Sequence, residues 1–477
     1  MMRMRIAWFS PVPPDPSGIA AYSAELVPLL APSFGAIDLY IKTAWPPTDL
    51  NADEAKRVDS VGIARAAATR SYTSSNSAIY SAHEFVWRHR RDPYDLIVYH
   101  LGNSTAHDYM WAYLYRYPGL LVLHDAQVHQ ARALWLLRRL EPRLEDYLAE
   151  LQAAHSDAPA GLGHLFAAGV GGDLYRLWPM VGLAIRASRL TVVHNAHLAE
   201  RLRRAHVGAA VLHVDMGVAD PKRGTVASFD STQTTVPTVR QRHGIPDGAV
   251  VAGAFGGITP EKRIPQLLEA VAASPRRDLH VLLVGSPAGH YDVDADVRRL
   301  GLEQRVHIAG YVPDSDLPAC LDAADICWCL RWPSYGETSA SWLRCLAAGK
   351  PTLITALAQL RDVPALTVNA DGVAAGSTSV EAVSIAIDPA DEPRDIGYAL
   401  NALADDTELR RRLGDNARAR WARLHTLARM ADNYRAAISE AVGRPAAEAE
   451  LPHHLLDDGT ATLRHILDEM NVPEPAW

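Results

Sequence analysis

The segment from Arg331 to Ser339 carries the residue types best suited to chemistry in this chain. The carboxylate of Glu337 is followed directly by the hydroxyls of Thr338 and Ser339. If a helix begins here, its unpaired backbone N–H groups and the positive end of its dipole attract an anion, while Glu337 can accept hydrogen bonds from sugar-type hydroxyls. The combination suits a phosphorylated sugar.

Two strands and a helix must position this segment. Apolar runs at 326–330 and 352–355 flank it, which indicates the loop and helix of one βαβ unit. The helix is expected to end at Gly349, because glycine favours the left-handed conformation that terminates helices and Pro351 lies just beyond.

A second candidate anion site follows the apolar run at 250–255. Gly256 and Gly257 leave room for a bulky group, and Lys262 can place a point charge against a diphosphate. The alternative is a solvated pair, Lys262 and Arg263, at a helix start. Cations at that end of a helix oppose its dipole, a mild cost that an anionic ligand would offset.

The first half contributes a loop and two polar clusters. The loop after the first predicted strand ends at Gly18, where a helix N-terminus can approach an anion closely, although a tight structural turn is an equal alternative. The clusters follow the runs at 96–99 and 120–123, and comprise His100, Asn103, His107, His124, Asp125 and His129. If the two strands are neighbours, the clusters share one sheet edge, and we favour a ligand-facing role for His124. For His107 and His129, supporting a neighbour and touching a ligand are equal alternatives. A zinc site is the lesser option, because these histidines lack a fixed short helical spacing.

Composition excludes several classes of protein. The 477 residues, 48% hydrophobic and 21% charged, are ordinary for a soluble chain of two or three domains. A net charge of −8 gives no global reason to bind nucleic acid. No apolar stretch approaches the roughly 20 residues that span a bilayer, and residues 1–10 lack a signal-peptide core, so we expect a cytoplasmic protein. The stretch 131–143 has apolar and arginine residues that suit an anionic membrane surface, but a helix packed on the protein is favoured.

Strand-like and helix-like segments alternate along the chain, which predicts two doubly wound parallel sheets with ligands between them at the carboxyl ends of the strands. Strands are predicted at 5–9, 37–41, 96–99, 120–123, 191–193, 211–214, 250–255, 280–284, 305–308, 325–330 and 352–355. Helices are predicted at 18–30, 264–273 and 409–442. The domains expected are 1–220, a linker at 221–240, 241–405, a helix at 406–444 crossing back to the first domain, and a tail at 445–477 without an assigned role.

The second half resembles family 4 of the retaining glycosyltransferases, which have the two-domain GT-B fold. The motifs that carry the resemblance are Lys262 in its glycine-containing loop, Pro333-Ser334 followed by Glu337, and the Ala-Ala-Gly-Lys-Pro sequence at 347–351. The resemblance is good over about 242–355, and it extends more loosely to the Gly18 loop and the His124-Asp125 pair. The Gly-Glu-Thr-Ser sequence at 336–339, with the histidine clusters, is similar to a bacterial subgroup of that family.

The resemblance implies a role for each site residue. Glu337 would hold hydroxyls of the donor sugar, and the amides of Thr338 and Ser339 would approach sugar and phosphate. Lys262 would neutralise the diphosphate leaving group, the Gly18 loop would close over it, and His124 would touch the donor sugar beside the acceptor.

Two departures from the family pattern stand out. Many members carry an arginine where Gly257 stands. Here one positive charge that would compensate the leaving group is therefore missing, or it is supplied by Arg263 or Arg331. Many also carry a second glutamate eight positions after the first, which contacts the ribose. Counting places Cys345 there, and alignment on the Ala-Ala-Gly sequence places Arg344.

The resemblance therefore implies transfer of a hexosyl unit from a nucleoside-diphosphate sugar to an unidentified sugar, glycan or small molecule. Configuration would be retained, and neither metal nor cofactor would be needed. Two alternatives stay open: a sugar-nucleotide epimerase or phosphorylase of the same architecture, and a non-catalytic protein that binds nucleotide sugars.

Overall fold

The computed structural model describes residues 4–15, 17–42, 77–138, 140–223, 237–369, 372–374, 380–446, 449–456 and 461–472. The chain forms two compact units. Unit 1 contains residues 1–214 and 431–477, and unit 2 contains residues 215–430. Most of the predicted linker, residues 224–236, lies outside the described residues.

Unit 1 is built on a parallel sheet whose strand order is β3-β2-β1-β4-β5-β6-β7. Its strands are β1 Arg5–Phe9, β2 Ala36–Ile41, β3 Ile79–Ser81, β4 Leu96–Leu101, β5 Leu120–Leu123, β6 Leu190–Val193 and β7 Val211–His213. All residues of β4, β5 and β6 are buried. Parallel strands covered on both faces read as continuous apolar runs, which is why sequence located them.

Helices cover both faces of this sheet. They are α1 Gly18–Leu30, α2 Phe85–Arg91, α3 Met110–Arg116, α4 His129–Leu137, α5 Leu144–Ala154, α6 Leu162–Ala167, α7 Gly182–Ala187 and α8 Ala196–Ala205. Side chains cap two of the helices whose positions matter below. Ser17 accepts a bond from the backbone N–H of Ile19 at the start of α1, and Asn195 accepts one from Leu198 at the start of α8.

Unit 2 contains an eight-stranded sheet in the order β10-β9-β8-β11-β12-β15-β13-β14. Its strands are β8 Val250–Phe255, β9 Leu279–Val284, β10 Val306–Gly310, β11 Ile326–Cys329, β12 Thr352–Thr355, β13 Ala365–Asn369, β14 Gly372–Ala374 and β15 Ser384–Ile387. The β13–β14 pair is antiparallel, and the other neighbours are parallel. The carboxyl ends of β8 and β11 are adjacent, which sets the positions of the loops that follow them.

The helices of unit 2 are α9 Val239–Arg242, α10 Ile264–Ala273, α11 Val293–Leu300, α12 Leu317–Ala323, α13 Ala340–Ala347, α14 Glu392–Asp405 and α15 Thr407–Leu424. Three more helices follow in the chain, α16 Leu427–Gly443, α17 His453–Leu456 and α18 Ala461–Glu469. From residue 431 onward they belong to unit 1. In the part of α16 that belongs to unit 1, Tyr434 is fully buried and its hydroxyl accepts a 2.6 Å hydrogen bond from the Tyr22 hydroxyl. Helix α16 thereby packs on α1.

The predicted fold class, two parallel-sheet α/β domains, is confirmed. Strands β1, β5, β8 and β12 and helices α1 and α10 have the predicted bounds. Strands β3, β13, β14 and β15 were not predicted, and β15 extends the sheet beyond β12.

The prediction of one helix over 409–442 is wrong, because the helix breaks between α15 and α16. At the break the carbonyl of His425 accepts a hydrogen bond from the N–H of Val218, and Thr426 forms a parallel bridge with Val218. The side chain of His425 also bonds to the carbonyl of Met216 at 3.0 Å. Pairing with residues 216–218 therefore replaces the helical hydrogen bonds at this point.

Among the described residues, none of the helices combines the length and the apolar composition needed to cross a membrane.

Helix α15 packs closely against the end of α13 at Gly414. A Cβ atom at Gly414 would lie 2.2 Å from the carbonyl oxygen of Gly349, so Gly414→Ala must push α15 away. We expect this variant to lose about 1–3 kcal/mol of unfolding free energy. Gly397→Ala in α14 is the matched control. A Cβ there meets nothing within 4 Å, so it should gain about 0.5–1 kcal/mol from reduced backbone entropy.

Urea unfolding of both variants measures this difference. If Gly414→Ala is as stable as Gly397→Ala, the close packing of α15 on α13 is wrong.

Candidate functional site

Helix α13 begins and ends where the sequence predicted. Ser339 is its N-cap and accepts a hydrogen bond from the N–H of Trp342 at 3.3 Å. Gly349 follows the last turn in the left-handed conformation, with φ of 71°. The N-terminal amides of α13 therefore lie directly after Glu337, as a phosphate-binding helix start requires.

The carboxylate of Glu337 is engaged at both oxygens. Oε1 accepts from the guanidinium of Arg331 at 2.6 Å. Oε2 accepts from the hydroxyl of Ser334 at 2.9 Å and from the N–H of Tyr335 at 2.7 Å. Gln359 donates to the Ser334 hydroxyl at 2.8 Å and so supports it from the loop after β12. The loop is thus folded around one carboxylate.

These bonds keep Glu337 ionised. Burial opposes the charged form, but the Arg331 guanidinium and the hydrogen bonds from Ser334 and the backbone outweigh it and lower the pKa of Glu337. A carboxylate held in this way is an acceptor for hydroxyl groups.

Lys262 lies beside the start of the same helix. Its Nζ donates to the carbonyl of Phe255 at the end of β8, at 2.8 Å. A Cβ atom at Gly256 would lie 2.7 Å from that Nζ and 3.2 Å from the hydroxyl oxygen of Ser341, in the first turn of α13. With φ of 83°, Gly256 provides both the backbone conformation and the space that bring these groups together.

Two backbone contacts fix Lys262 relative to the Glu337 loop. The indole N–H of Trp328 donates to the carbonyl of Lys262 at 2.8 Å, and the N–H of Trp332 donates to the carbonyl of Glu261 at 2.8 Å. Burial and, second to it, the positive charge of the nearby Arg331 lower the pKa of Lys262 to about 7. The structure thus brings the ammonium group and the Glu337 loop to one site in unit 2.

The structure does not bring Arg263 to this site. Its guanidinium makes two bonds to the carboxylate of Glu392, one of them of 2.7 Å and one shorter, and the Glu392 side chain is only 5% exposed. The prediction that Arg263 binds the donor is therefore corrected. Arg263 connects α10 to α14, because its departure would leave the buried carboxylate of Glu392 without its partner.

The second glutamate of the family pattern has no carboxylate in its place. Cys345 is fully buried, with its sulfur 3.9 Å from that of Cys329. Arg344 is partly exposed, and its guanidinium lies 3.6 Å from the carboxylate of Asp314 in the loop after β10. Of the two aligned positions, only Arg344 is accessible.

In unit 1 the clusters after β4 and β5 meet, as expected for neighbouring strands. The ring nitrogens Nδ1 of His100 and Nε2 of His124 are 3.0 Å apart. Nδ1–H of His107 donates to the carbonyl of His100 at 2.8 Å. Asp125 accepts from the N–H of Asn103 at 2.8 Å. Five of the six predicted residues therefore form one cluster.

His129, the sixth residue, lies in the core. Its Nδ1 bonds to the carbonyl of Trp178 and its Nε2 to the hydroxyl of Tyr147, both at 2.6 Å. Both of its ring nitrogens are engaged within the core, so its predicted place on the acceptor side is corrected to a structural one. His100 and His107 are equally buried, and of the clustered residues only Asn103, His124 and Asp125 are partly exposed.

The sequence missed two aromatic neighbours of His124. The rings of Tyr22 and His194 lie 4.9 and 5.2 Å from its ring centre. His194 follows β6 directly, so the same rule of polar residues after strands identifies it. Tyr22 lies on α1, whose start at Gly18 was predicted, and nothing approaches within 4 Å of a Cβ placed on Gly18.

The histidine cluster is uncharged near neutral pH. Burial, with a smaller contribution from His194, holds the pKa values of His100 and His124 well below their usual range. Burial also lowers the pKa of His107 to about 4. Neutral imidazoles donate and accept hydrogen bonds without attracting anions, so the cluster suits a hydroxyl-bearing ligand.

A separate cavity of about 990 Å³ lies in unit 1 at the amino ends of β6 and β7. It is lined by Arg189 and Ala210, which precede β6 and β7, and by residues 444–446 and 449–452. Since the histidine cluster follows the carboxyl ends of strands, this cavity is not part of it. No group of three or more His, Cys, Asp or Glu side chains suited to a metal ion occurs within the described ranges.

Comparison with known proteins identifies the family that unit 2 resembles. Residues 235–420 match the model of the family described as Glycosyl transferases group 1. The 2-deoxystreptamine glucosyltransferase of Streptomyces kanamyceticus is 33% identical over 153 residues, which is 31% of this chain and 38% of that protein. The chain spans between 29% and 54% of the length of the curated relatives it matches.

Solved structures similar to this chain cover nearly its whole length. Sucrose-phosphate synthase from Thermosynechococcus elongatus has a TM-score of 0.59 at 16% identity, covering 92% of this chain and 100% of that one. The Anabaena protein HepE, solved in complex with UDP and glucose, has a TM-score of 0.55 at 15% identity, covering 91% and 99%. The chain therefore has the GT-B fold.

The environment of Lys262 predicts an unusual titration. The chain contains five lysines, so ¹⁵N labelling of lysine side chains gives few NMR signals. We expect one signal to titrate at about pH 7, because burial and Arg331 disfavour its charged form. That signal should be absent in Lys262→Met. If every lysine titrates near the usual value of about 10.4, the ammonium group is not buried as described.

Proposed function

We propose that this protein is a retaining glycosyltransferase that moves a hexosyl unit from a nucleoside-diphosphate sugar to a hydroxyl of an acceptor. The observation that carries the proposal is the pairing, in unit 2, of an ammonium group at a helix N-terminus with an ionised carboxylate one loop away. The family match over residues 235–420 and the glucosyltransferase relative support it.

The leaving group needs positive charge and amide donors. A nucleoside diphosphate gains negative charge as the bond to the sugar breaks. Lys262, the hydroxyl of Ser341 and the first amides of α13, near Thr338 and Ser339, provide donors that need little reorganisation. The ammonium form of Lys262 gains stability when the diphosphate binds, so binding raises its pKa.

The sugar needs acceptors for its hydroxyls, and Glu337 supplies them. Its carboxylate is ionised and fixed by the Ser334 hydroxyl and the Tyr335 amide, so it can bind hydroxyls without first being ordered. In HepE the bound molecules are UDP and glucose, which combine the two ligand chemistries that we assign to unit 2.

Retention is proposed to follow from attack on the same face that the diphosphate leaves. The bond between C1 of the sugar and the phosphate oxygen breaks, the bond between C1 and the acceptor oxygen forms, and the acceptor proton passes to the departing phosphate. This scheme needs no metal ion. The neutral cluster around His124 in unit 1 is the proposed place for the acceptor, a sugar, glycan or small molecule.

The donor is testable by binding. In a thermal-shift screen with UDP, GDP, ADP and TDP sugars, one nucleotide class should stabilise the protein. A ligand at about 100 times its dissociation constant adds about 2.7 kcal/mol. If none of the four classes raises the melting temperature, the proposal is contradicted.

The catalytic roles are testable by substitution. Glu337→Ala and Lys262→Ala should each lower turnover at least tenfold, or about 1.4 kcal/mol in the barrier, because each removes an interaction with the reacting donor. Glu303→Ala, which changes an exposed glutamate before β10, is the control and should not alter turnover.

Turnover is measured with the donor that the screen identifies and, in the absence of a known acceptor, as release of the nucleoside diphosphate. Unchanged turnover in either well-folded site variant counts against the assignment. Circular dichroism establishes that each variant is folded.

A further inference from the structure

The charge available to a diphosphate at Lys262 is incomplete. A nucleoside diphosphate carries at least two negative charges, and Lys262 supplies one positive charge. At Gly257, on the adjacent loop, a Cβ would meet nothing closer than 3.9 Å, so the position is open and uncharged. A second cation from another part of unit 2 would complete the compensation that Lys262 and the helix amides begin.

Arg331 is the arginine placed to supply it. It follows β11, whose carboxyl end is adjacent to that of β8, and its positive charge already acts on Lys262. Its neighbours Trp328 and Trp332 hydrogen-bond to the backbone of residues 261–262. The Arg331 side chain is 32% exposed, whereas the Glu337 carboxylate that it binds is 8% exposed.

The ion pair that holds Arg331 can open at low cost. Breaking a buried pair is expensive chiefly when the remaining carboxylate is left without donors. Glu337 keeps the Ser334 hydroxyl and the Tyr335 N–H, which bind its other oxygen. Once Arg331 leaves, Oε1 becomes an acceptor for a sugar hydroxyl.

We propose that Arg331 exchanges partners when the donor binds, moving its guanidinium from Glu337 to the diphosphate and freeing Oε1 of Glu337 for the sugar. This inference rests on the proposed function, since it needs a nucleotide sugar in unit 2. It adds a residue that contacts the leaving group, and it couples recognition of the anionic end of the donor to recognition of its sugar end.

Three variants test the exchange, with UDP as the probe and calorimetry as the measurement. Arg331→Gln should weaken UDP binding at least tenfold. Arg331→Lys keeps the positive charge but lacks the guanidinium that can donate two parallel hydrogen bonds, so it should bind UDP more tightly than Arg331→Gln and less tightly than the wild type. Gly257→Arg added to Arg331→Gln fills the open position with a cation and should recover affinity as well. Arg299→Gln is the control: the exposed Arg299 side chain lies on α11, and its loss should remove a charge from unit 2 without affecting UDP binding.

Glu337→Gln separates exchange from a purely structural pair. Glutamine keeps an oxygen that can accept from Arg331 but carries no negative charge, so it holds Arg331 more weakly and UDP should bind at least as tightly as to the wild type. The gain in affinity of UDP-glucose over UDP should fall at least threefold. In Arg331→Gln, the ¹⁵N signal of Lys262 should titrate above its wild-type pKa, because the nearby positive charge is removed.

The inference is overturned if Arg331→Gln binds UDP within twofold of wild type, if neither Arg331→Lys nor Gly257→Arg recovers a loss, or if Glu337→Gln binds UDP more weakly. Should Lys262→Ala abolish UDP binding while Arg331→Gln leaves it intact, the inference fails and the proposed function stands. If the wild type binds no UDP, GDP, ADP or TDP sugar, both fail together.

Discussion

The burial of one ammonium group organises the site in unit 2. Lys262 is held by the carbonyl at the end of β8, and its own carbonyl is held by the indole of Trp328. Burying a cation next to a second one costs free energy, and the lowered pKa of Lys262 expresses that cost. An anion at this position relieves it, so the fold keeps a place ready for negative charge before any ligand arrives.

The two units differ in the charge they present. In unit 2 the loops after β8 and β11 carry Lys262 and Arg331. In unit 1 the ends of β4 and β5 carry His100 and His124, which burial keeps neutral. Under the proposed function, this contrast in protonation directs the anionic donor to unit 2 and leaves the cluster in unit 1 to an uncharged acceptor, although both clusters follow the carboxyl ends of parallel strands.

Sequence reasoning succeeded where the cause is local. The apolar runs of buried parallel strands located β1, β5, β8 and β12, and a hydroxyl residue and a glycine marked the two ends of α13. It failed where a partner is distant in sequence. No residue near Arg263 in the sequence indicates that its guanidinium binds Glu392, which lies 129 residues later. The break between α15 and α16 likewise depends on Val218, far from the helical pattern that suggested one helix.

Buried carboxylates decide which arginines of unit 2 are available to a ligand. Glu392 receives both its described donors from Arg263, so releasing that arginine would leave a buried charge without compensation, at a cost of about 3–5 kcal/mol. Glu337 differs because the Ser334 hydroxyl and the Tyr335 amide remain when Arg331 departs. Two similar ion pairs therefore have opposite uses: one fixes α10 to α14, and the other is the pair that we propose to exchange. The number of additional donors to the carboxylate, and not the length of the salt bridge, distinguishes them.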